Sequence, residues 1–244
     1  MPAMTSFVAG LGDFFAGFGL VLRVGSIRKW AIIPMVLNAL LFGVLAVLVF
    51  LYADNAVDWM MGQSRSSWGS FWHVVLQVLV IVAGLTAVVV LTLVLSSLIA
   101  APFYTKLAEA TLLHLTGRQI ADSGPLWKIA IKTIFQEAGK LAIFIGVQAV
   151  LFGIGLVPLV GQIIAGGVTF LLLAFQFADY SLEAYGYGLA DRYKFTMQNP
   201  GRSLGFGCGA FLTTIVPLMG IFTAPAAVAG AARMVVRLKG ENVR

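Results

Sequence analysis

Long apolar runs separated by short polar segments make up most of this 244-residue chain. Residues 30–52 and 71–103 contain no Asp, Glu, Lys or Arg. A hydrocarbon core of ~30 Å requires about 20 helical residues, so each run is long enough to cross it. We predict transmembrane helices over 30–52 and 71–103. The second, at about 50 Å for ~1.5 Å per residue, continues into the cytoplasm to about residue 115.

Two further apolar runs, 141–178 and 204–232, share an internal repeat. The pattern aliphatic-Val-Pro-Leu-x-Gly occurs at 156–161 in the first run and at 215–220 in the second. Proline followed three residues later by glycine is typical of a turn, so each run is predicted to fold back on itself. The residues at the two hairpin tips are Pro158, Gly161, Pro217 and Gly220.

The arms of these hairpins determine how deep they reach. Residues 141–156 give about 24 Å of helix and residues 204–216 about 20 Å, at ~1.5 Å per residue. Neither arm crosses ~30 Å of hydrocarbon, so we predict two re-entrant, half-membrane hairpins. Paired broken segments often line a transport pathway, because non-helical backbone at membrane depth must be buried or face a wet cavity. The alternative is a purely structural turn in a helical bundle.

The remaining segments complete an all-α prediction. Residues 5–24 form one apolar face at helical spacing, which favours a helix in the membrane interface, and 126–139 is predicted as a cytoplasmic amphipathic helix. The polar loop 54–70 holds two acids and one cation and is expected to lie outside. By the positive-inside rule both termini are then cytoplasmic. The predicted fold is one membrane domain over 1–244 with two long transmembrane helices, two re-entrant hairpins and an interfacial helix.

Composition supports the membrane prediction. The chain is 60% hydrophobic and 11% charged, and its mean hydropathy is +0.96, which leaves too little polar surface to cover a soluble globule. The net charge of +6 does not indicate nucleic-acid binding, because the cations flank apolar runs as they do beside phospholipid headgroups. The single cysteine, Cys208, excludes an internal disulfide. No basic segment precedes the first apolar residues, so we expect no cleaved signal peptide.

Motifs for energy coupling and catalysis are absent. There is no phosphate-binding Gly-x4-Gly-Lys-Ser/Thr loop, no His-Glu-x-x-His, and His73 and His114 have no cysteine partner for zinc. The runs 30–52 and 71–103 contain no acid of the kind a proton-coupled carrier needs at membrane depth. We therefore expect a passive conduit that is not an enzyme and has no cofactor or metal. The acids that could reach a cavity from the cytoplasmic side are Glu109, Glu137, Asp179 and Glu183.

The segment Gly25-Ser26-Ile27-Arg28-Lys29 directly precedes the first predicted transmembrane helix. Unpaired N–H groups at a helix start, the positive end of the helix dipole and two adjacent cations together favour an anion. The alternative is that Arg28 and Lys29 only fix the orientation of the helix in the membrane.

Five ordered segments resemble the CysZ family of bacterial sulfate permeases over residues 19–238. They are residues 27–38 (IRKWAIIPMVLN), 99–109 (IAAPFYTKLAE), 176–180 (QFADY), 204–207 (LGFG) and 225–230 (PAAVAG). The resemblance implies an oligomeric inner-membrane protein that takes up sulfate for cysteine synthesis. It implies that sulfate binds at Ser26, Ile27, Arg28 and Lys29. Two residues depart from the family pattern, since Ser26 replaces a glycine and Lys29 an arginine.

The resulting hypothesis is a sulfate-selective channel or facilitator. Sulfate is attracted to Arg28 and Lys29 and passes down its gradient between the long helices and the hairpin tips. The expected partners are sulfate, the lipid bilayer and further copies of the chain, with no nucleic acid. The alternative is a membrane scaffold or assembly factor whose cations serve only topology and anionic lipids.

Overall fold

The computed structural model describes residues 3–61, 67–121, 124–216 and 219–241 and contains eight α-helices and no strand in that part of the chain. The all-α prediction is confirmed. The helices are α1 (Ala3–Arg23), α2 (Gly25–Met61), α3 (Ser67–Thr116), α4 (Leu126–Gly155), α5 (Val160–Ala184), α6 (Leu189–Gln198), α7 (Pro200–Thr214) and α8 (Met219–Leu238).

The chain divides into two compact units, of which the smaller is Val36–Ser97. In this unit α2 and α3 run antiparallel and two side-chain hydrogen bonds join them. Gln77 Nε2 donates to Asp54 Oδ1 at 2.5 Å, and His73 Nε2 lies 3.0 Å from Asp58 Oδ1. Most other large apolar side chains of the unit are exposed, as expected for helices that face lipid.

The larger unit comprises Met1–Met35 and Leu98–Arg244. Here α1 packs along α7 and α8, and α5 contacts α4, α6, α7 and α8. Phe14 of α1, Phe206 of α7 and Met234 of α8 are almost completely buried in the centre of this packing. A second buried group joins the start of α2 to α3, α5 and α8, and includes Ile27 and Ala101.

The first two long helices extend beyond the predicted spans. The predicted span 30–52 lies inside α2, which continues to Met61, and 71–103 lies inside α3. Residues 54–61 and 67–70 are therefore helical rather than loop, because polar residues end an apolar run without necessarily ending a helix, and 54–61 contain neither glycine nor proline. Residues 62–66 of the predicted loop lie outside the described residues.

The fourth helix corrects the prediction over 126–155. One continuous helix of 30 residues replaces the separate amphipathic helix 126–139 and the hairpin arm that was to begin at 141. The charged residues between them are accommodated by ion pairs within the fold instead of breaking the helix. At about 45 Å for ~1.5 Å per residue, α4 is long enough to cross a bilayer, so arm length no longer decides the depth of this hairpin.

The first helix matches the predicted range 5–24 within two residues, and its buried face contains small residues and an acid besides apolar side chains. Gly10, Asp13, Phe14, Gly17 and Val21 are buried against the neighbouring helices. Other large apolar side chains of α1, such as those at positions 15 and 22, are exposed. Small residues let α1 approach its neighbours closely, and this packing outweighs the apolar periodicity. Its position in the membrane interface stays a prediction.

Five helices of the described chain are long and apolar enough to cross a membrane by length and composition. The corresponding segments are Met4–Arg23, Gly25–Met60, Phe71–Thr92, Leu126–Gly155 and Val160–Ala184. In the most apolar 18-residue stretch of each helix, at most 28% is buried inside the protein. Most of this apolar surface therefore needs a lipid environment.

Candidate anion-binding site at the start of the second helix

A break of one residue separates α1 from α2. Val24 is the only residue between the two helices, and its N–H still donates to Leu20 O at 3.1 Å. Val24 O accepts from Arg28 N at 2.9 Å and from Ile27 N at 3.1 Å. The N–H groups of Gly25 and Ser26 have no backbone acceptor among the described residues. Two of the free donors that an anion needs are thus present at this helix start.

Ile27 anchors this junction to the core. Its side chain is fully buried with Ala31 of α2, Ala100 of α3 and Tyr104 of α3. Because Ile27 N–H is already bonded to Val24 O and the side chain faces inward, Ile27 positions its neighbours and offers an anion no free donor of its own.

The other predicted residues face outward. Gly25, Ser26, Arg28 and Lys29 are exposed, and so is Arg23 at the end of α1. Arg28 and Lys29 follow the two free N–H groups directly in sequence, and Arg23 lies one residue before the break. The sequence prediction did not include Arg23, whose place three residues before Ser26 only matters once the helix break is known.

These three cations have no acidic partner. Within the described ranges, Arg23, Arg28 and Lys29 form no ion pair, and Lys29 Nζ lies 5.8 Å from the centre of the Trp30 ring. A ring at that distance stabilises an exposed ammonium group weakly, by about 0.5–1 kcal/mol. The junction therefore offers positive charge and backbone donors that no described residue of the chain neutralises.

The tip of the first hairpin lies where the sequence places it. Residues 156–159 separate α4 from α5, and Leu159 has φ 64° and ψ −66° with Val160 N donating to Pro158 O at 2.8 Å, which is a γ-turn. Gly161 is buried, and a Cβ there would collide with the carbonyl oxygen of Ile154. Gly161 is thus required by the close approach of the two helices.

The second tip is described only in part. Pro217 lies outside the described residues, and Gly220 lies in the first turn of α8. Helix α7 ends at Thr214 and α8 begins at Met219, so the turn falls within the predicted repeat.

A groove with a cavity volume of about 420 Å³ opens beside the first tip. Its polar side chains are Gln148 of α4 and Gln162 and Thr169 of α5, among apolar neighbours that include Leu151 and Phe152. Sequence inspection did not single out these three polar residues, although each interrupts an otherwise apolar helix.

The acids that could have served ion coupling are paired with cations. Lys140 Nζ lies 2.7 Å from Glu137 Oε1 and 2.5 Å from Asp179 Oδ2. Arg192 Nη1 donates to Asp179 Oδ1 at 3.0 Å and to Glu183 Oε2 at 3.3 Å. This charge network, consisting of Glu137, Lys140, Asp179, Glu183 and Arg192, joins α4, α5 and α6.

The remaining acid of that set, Glu109, accepts a hydrogen bond from Lys106 at 2.9 Å on the same helix. All four acids named from the sequence thus have basic partners. The pairs made by Asp179 and Glu183 were not predicted, because they depend on how α4, α5 and α6 pack.

The fold and this junction define a class: a membrane-embedded, multi-pass helical protein with an exposed cationic helix start that no acid of the described chain neutralises. The profile of a protein family described as "Sulfate transporter CysZ/Etoposide-induced protein 2.4" matches residues 13–225. The chain belongs to this family, as its resemblance to CysZ predicted.

Individual relatives cover nearly the whole chain. A protein named Sulfate transporter CysZ from Vibrio cholerae is 30% identical over 93% of this chain and 92% of its own length. Those of Pseudomonas aeruginosa strain PAO1 and Vibrio atlanticus are 30% and 29% identical, over 99% and 97% of this chain and 98% and 96% of their own lengths.

Proposed function

We propose that this chain is a sulfate permease of the bacterial inner membrane, a passive channel or facilitator that supplies sulfate for cysteine synthesis. The relatives named as sulfate transporters support the substrate. The junction carries the proposal to particular residues, because exposed Arg28 and Lys29 adjoin two N–H groups that have no backbone acceptor in the described part of the chain.

Sulfate matches the chemistry of this junction. It is a tetrahedral dianion, and the N–H groups of Gly25 and Ser26, the Ser26 hydroxyl and the Arg28 guanidinium offer it several donors close together in the sequence. Arg23 and Lys29 add positive charge. The ammonium group of Lys29 acts as a point charge and has no planar pair of donors. Because the residues are exposed, sulfate can reach them without a conformational change of the core.

The paired state of the acids supports passive movement. A proton-coupled carrier needs a carboxylate that gains and loses a proton during the cycle. Asp179 lies between Lys140 and Arg192, so its carboxylate is already engaged in ion pairs that join the helices.

We further propose that both hairpins enter the membrane without crossing it. Helix α7 has 15 residues, about 22 Å at ~1.5 Å per residue, which is less than a ~30 Å core. In the first hairpin, the apolar part beyond the Lys140–Asp179 ion pair covers residues 141–155 of α4, again about 22 Å. The polar groove at this tip would then lie at membrane depth, where irregular backbone requires a wet or protein-lined environment. By the positive-inside rule, the cations at the hairpin bases support a cytoplasmic location of these bases and of both termini.

Labelled sulfate uptake into liposomes that contain only this protein tests the proposal. We expect uptake that follows the sulfate gradient, does not depend on a pH gradient, and falls at least tenfold in the variant Arg28→Ala/Lys29→Ala. The variant Lys128→Ala/Lys194→Ala removes the same charge from two exposed lysines elsewhere and is expected to transport normally. Uptake no faster than in empty liposomes, with inserted and oligomeric protein, would instead identify a scaffold.

A further inference from the structure

Three arginines converge on a single buried acid in the larger unit. Asp13 of α1 is fully buried, and its Oδ2 accepts from Arg202 of α7, at 2.8 Å from Nε and 2.5 Å from Nη2. Its Oδ1 lies 3.2 Å from Arg237 Nη1 and 3.7 Å from Arg233 Nε. Arg233 and Arg237 are four residues apart on α8 and so lie on the same face of that helix.

The charges of this arginine cluster, Arg202, Arg233 and Arg237, exceed what Asp13 neutralises. Three guanidinium groups carry three positive charges against one negative charge, and no other acid of the described residues pairs with them. A guanidinium has five N–H donors. Of the cluster's donors, only Arg202 Nε and Nη2 and Arg237 Nη1 form a hydrogen bond within the described residues, and Arg233 forms none.

An attachment of α1 to α7 needs only one of these arginines. Arg202 is the most buried of the three, and its two short contacts already bind Oδ2 of Asp13. Gly10, one turn before Asp13, lets α1 approach α7 so closely that a Cβ would collide with the carbonyl oxygen of Arg202. The contact between these helices is thus built around Asp13 and Arg202, without Arg233 and Arg237.

The excess charge lies on the accessible side of the cluster. The Arg233 and Arg237 side chains are 27% and 43% exposed, whereas that of Arg202 is 16% exposed. Like charges held this close repel one another, and the repulsion is largest where water is partly excluded. A bound anion on the open side would remove this repulsion and use the free donors.

We propose that Arg233 and Arg237, with Arg202 behind them, bind a tetrahedral oxyanion beside Asp13. The ligand is a free sulfate or phosphate ion, or the phosphate of an anionic phospholipid, because guanidinium pairs match the oxygen spacing of all of these. This site is separate from the α1–α2 junction and does not require that the junction bind sulfate.

The test uses the purified full-length chain in the background Arg28→Ala/Lys29→Ala, so that binding at the junction does not contribute. Thermal unfolding is followed in detergent with added sodium sulfate and with sodium chloride at the same ionic strength. In a second arm the protein is placed in nanodiscs of phosphatidylglycerol or of phosphatidylcholine. A ligand that binds only the folded state raises the unfolding temperature with concentration.

We expect a higher unfolding temperature in sulfate than in chloride, in phosphatidylglycerol than in phosphatidylcholine, or in both comparisons. The variant Arg233→Gln/Arg237→Gln should lose this increase. The arm that responds identifies the source of the oxyanion. Lys128→Gln/Lys194→Gln, which removes two exposed charges elsewhere, should keep the full response. The proposal is overturned if neither arm responds, or if Arg233→Gln/Arg237→Gln responds as the background does.

Asp13→Asn gives a second test, because an anion site and a purely structural cluster predict different changes in sulfate binding. Without the carboxylate the three arginines should bind sulfate more tightly, by about tenfold, although the protein is less stable in sulfate-free buffer. A structural cluster would lose stability with no gain in its response to sulfate or phosphatidylglycerol. If Asp13→Asn does not fold, Arg233→Gln/Arg237→Gln, which keeps the Asp13–Arg202 pair, decides the question alone.

Discussion

The α1–α2 junction and the first hairpin use the same kinds of residues in opposite ways. At the junction, Arg28 and Lys29 are exposed and lack an acidic partner in the described chain, and two backbone N–H groups have no acceptor. In the hairpin, the partly buried Lys140 is paired with the buried Asp179, and the tip is closed tightly around Gly161. Charges that the fold neutralises hold helices together, whereas charges that it leaves unpaired are available to a ligand.

This contrast predicts two separate kinds of effect. Changes in the hairpin should alter stability and leave the sulfate affinity of the folded protein unchanged. Changes at the junction should alter sulfate affinity and leave stability unchanged. A variant that breaks this separation would show that the two regions do not have these distinct roles.

Asp179→Ala should have the largest effect. It leaves Lys140 with Glu137 alone and Arg192 with Glu183 alone, and removal of one partner of a buried ion pair costs about 3–5 kcal/mol. We expect a strongly lowered unfolding temperature in detergent, with the sulfate affinity of the remaining folded protein as in the wild type. The expected loss in the free energy of unfolding is ~3–5 kcal/mol, so a loss of less than about 1 kcal/mol would show that the charge network does not stabilise the fold.

Gly161→Ala should destabilise the protein by about 1–3 kcal/mol, because the new Cβ meets the Ile154 carbonyl oxygen and forces α4 and α5 apart. Gly153→Ala, in the same hairpin, meets nothing within 4 Å and should be neutral or slightly stabilising. Thermal unfolding of the two variants side by side measures the difference. Equal stabilities would contradict the role assigned to the tip.

Gly25→Pro removes one free N–H group from the junction at the first position of α2, where proline is well accommodated. We expect unchanged stability and a loss of sulfate affinity of about 0.5–1.5 kcal/mol, the usual contribution of one hydrogen bond. Gly25→Ala keeps the N–H, and its Cβ has open space around it, so this variant should bind like the wild type. If proline and alanine bind sulfate equally well, the backbone donors are not part of the site.

Lys29→Arg should have the smallest effect. It replaces a point charge by a planar donor pair, so sulfate affinity should rise about two- to threefold. Isothermal titration measures this change. A lower affinity in Lys29→Arg would show that the ammonium group fits the site better than a guanidinium does.

Much of the helical architecture could be predicted from the sequence. Apolar runs located the long helices, and the repeated Val-Pro-Leu-x-Gly pattern located the hairpin turns, because these depend on local composition. The continuity of α4 over 126–155 was missed, since Lys140 pairs with Asp179 on α5 as well as with Glu137 on its own helix, and a single sequence does not show the contact with α5.

The candidate site was predictable to a similar extent. Arg28 and Lys29 could be named because they directly precede an apolar run. The inward direction of Ile27 and the proximity of Arg23 depend on the one-residue break at Val24, which carries no proline or glycine of its own. The convergence of three arginines on Asp13 involves residues up to 224 positions apart and has no local pattern at all.

Calorimetric titration of sulfate into the purified protein and into Arg28→Ala tests the central claim most directly. Loss of a hydrogen-bonding cation, at about 1.5–3 kcal/mol, predicts at least a tenfold weaker sulfate affinity with an unchanged unfolding temperature and oligomeric state. Lys128→Ala, an exposed lysine elsewhere on the chain, should bind sulfate as the wild type does. An Arg28→Ala protein that is folded and binds sulfate with wild-type affinity would contradict the assignment of the site.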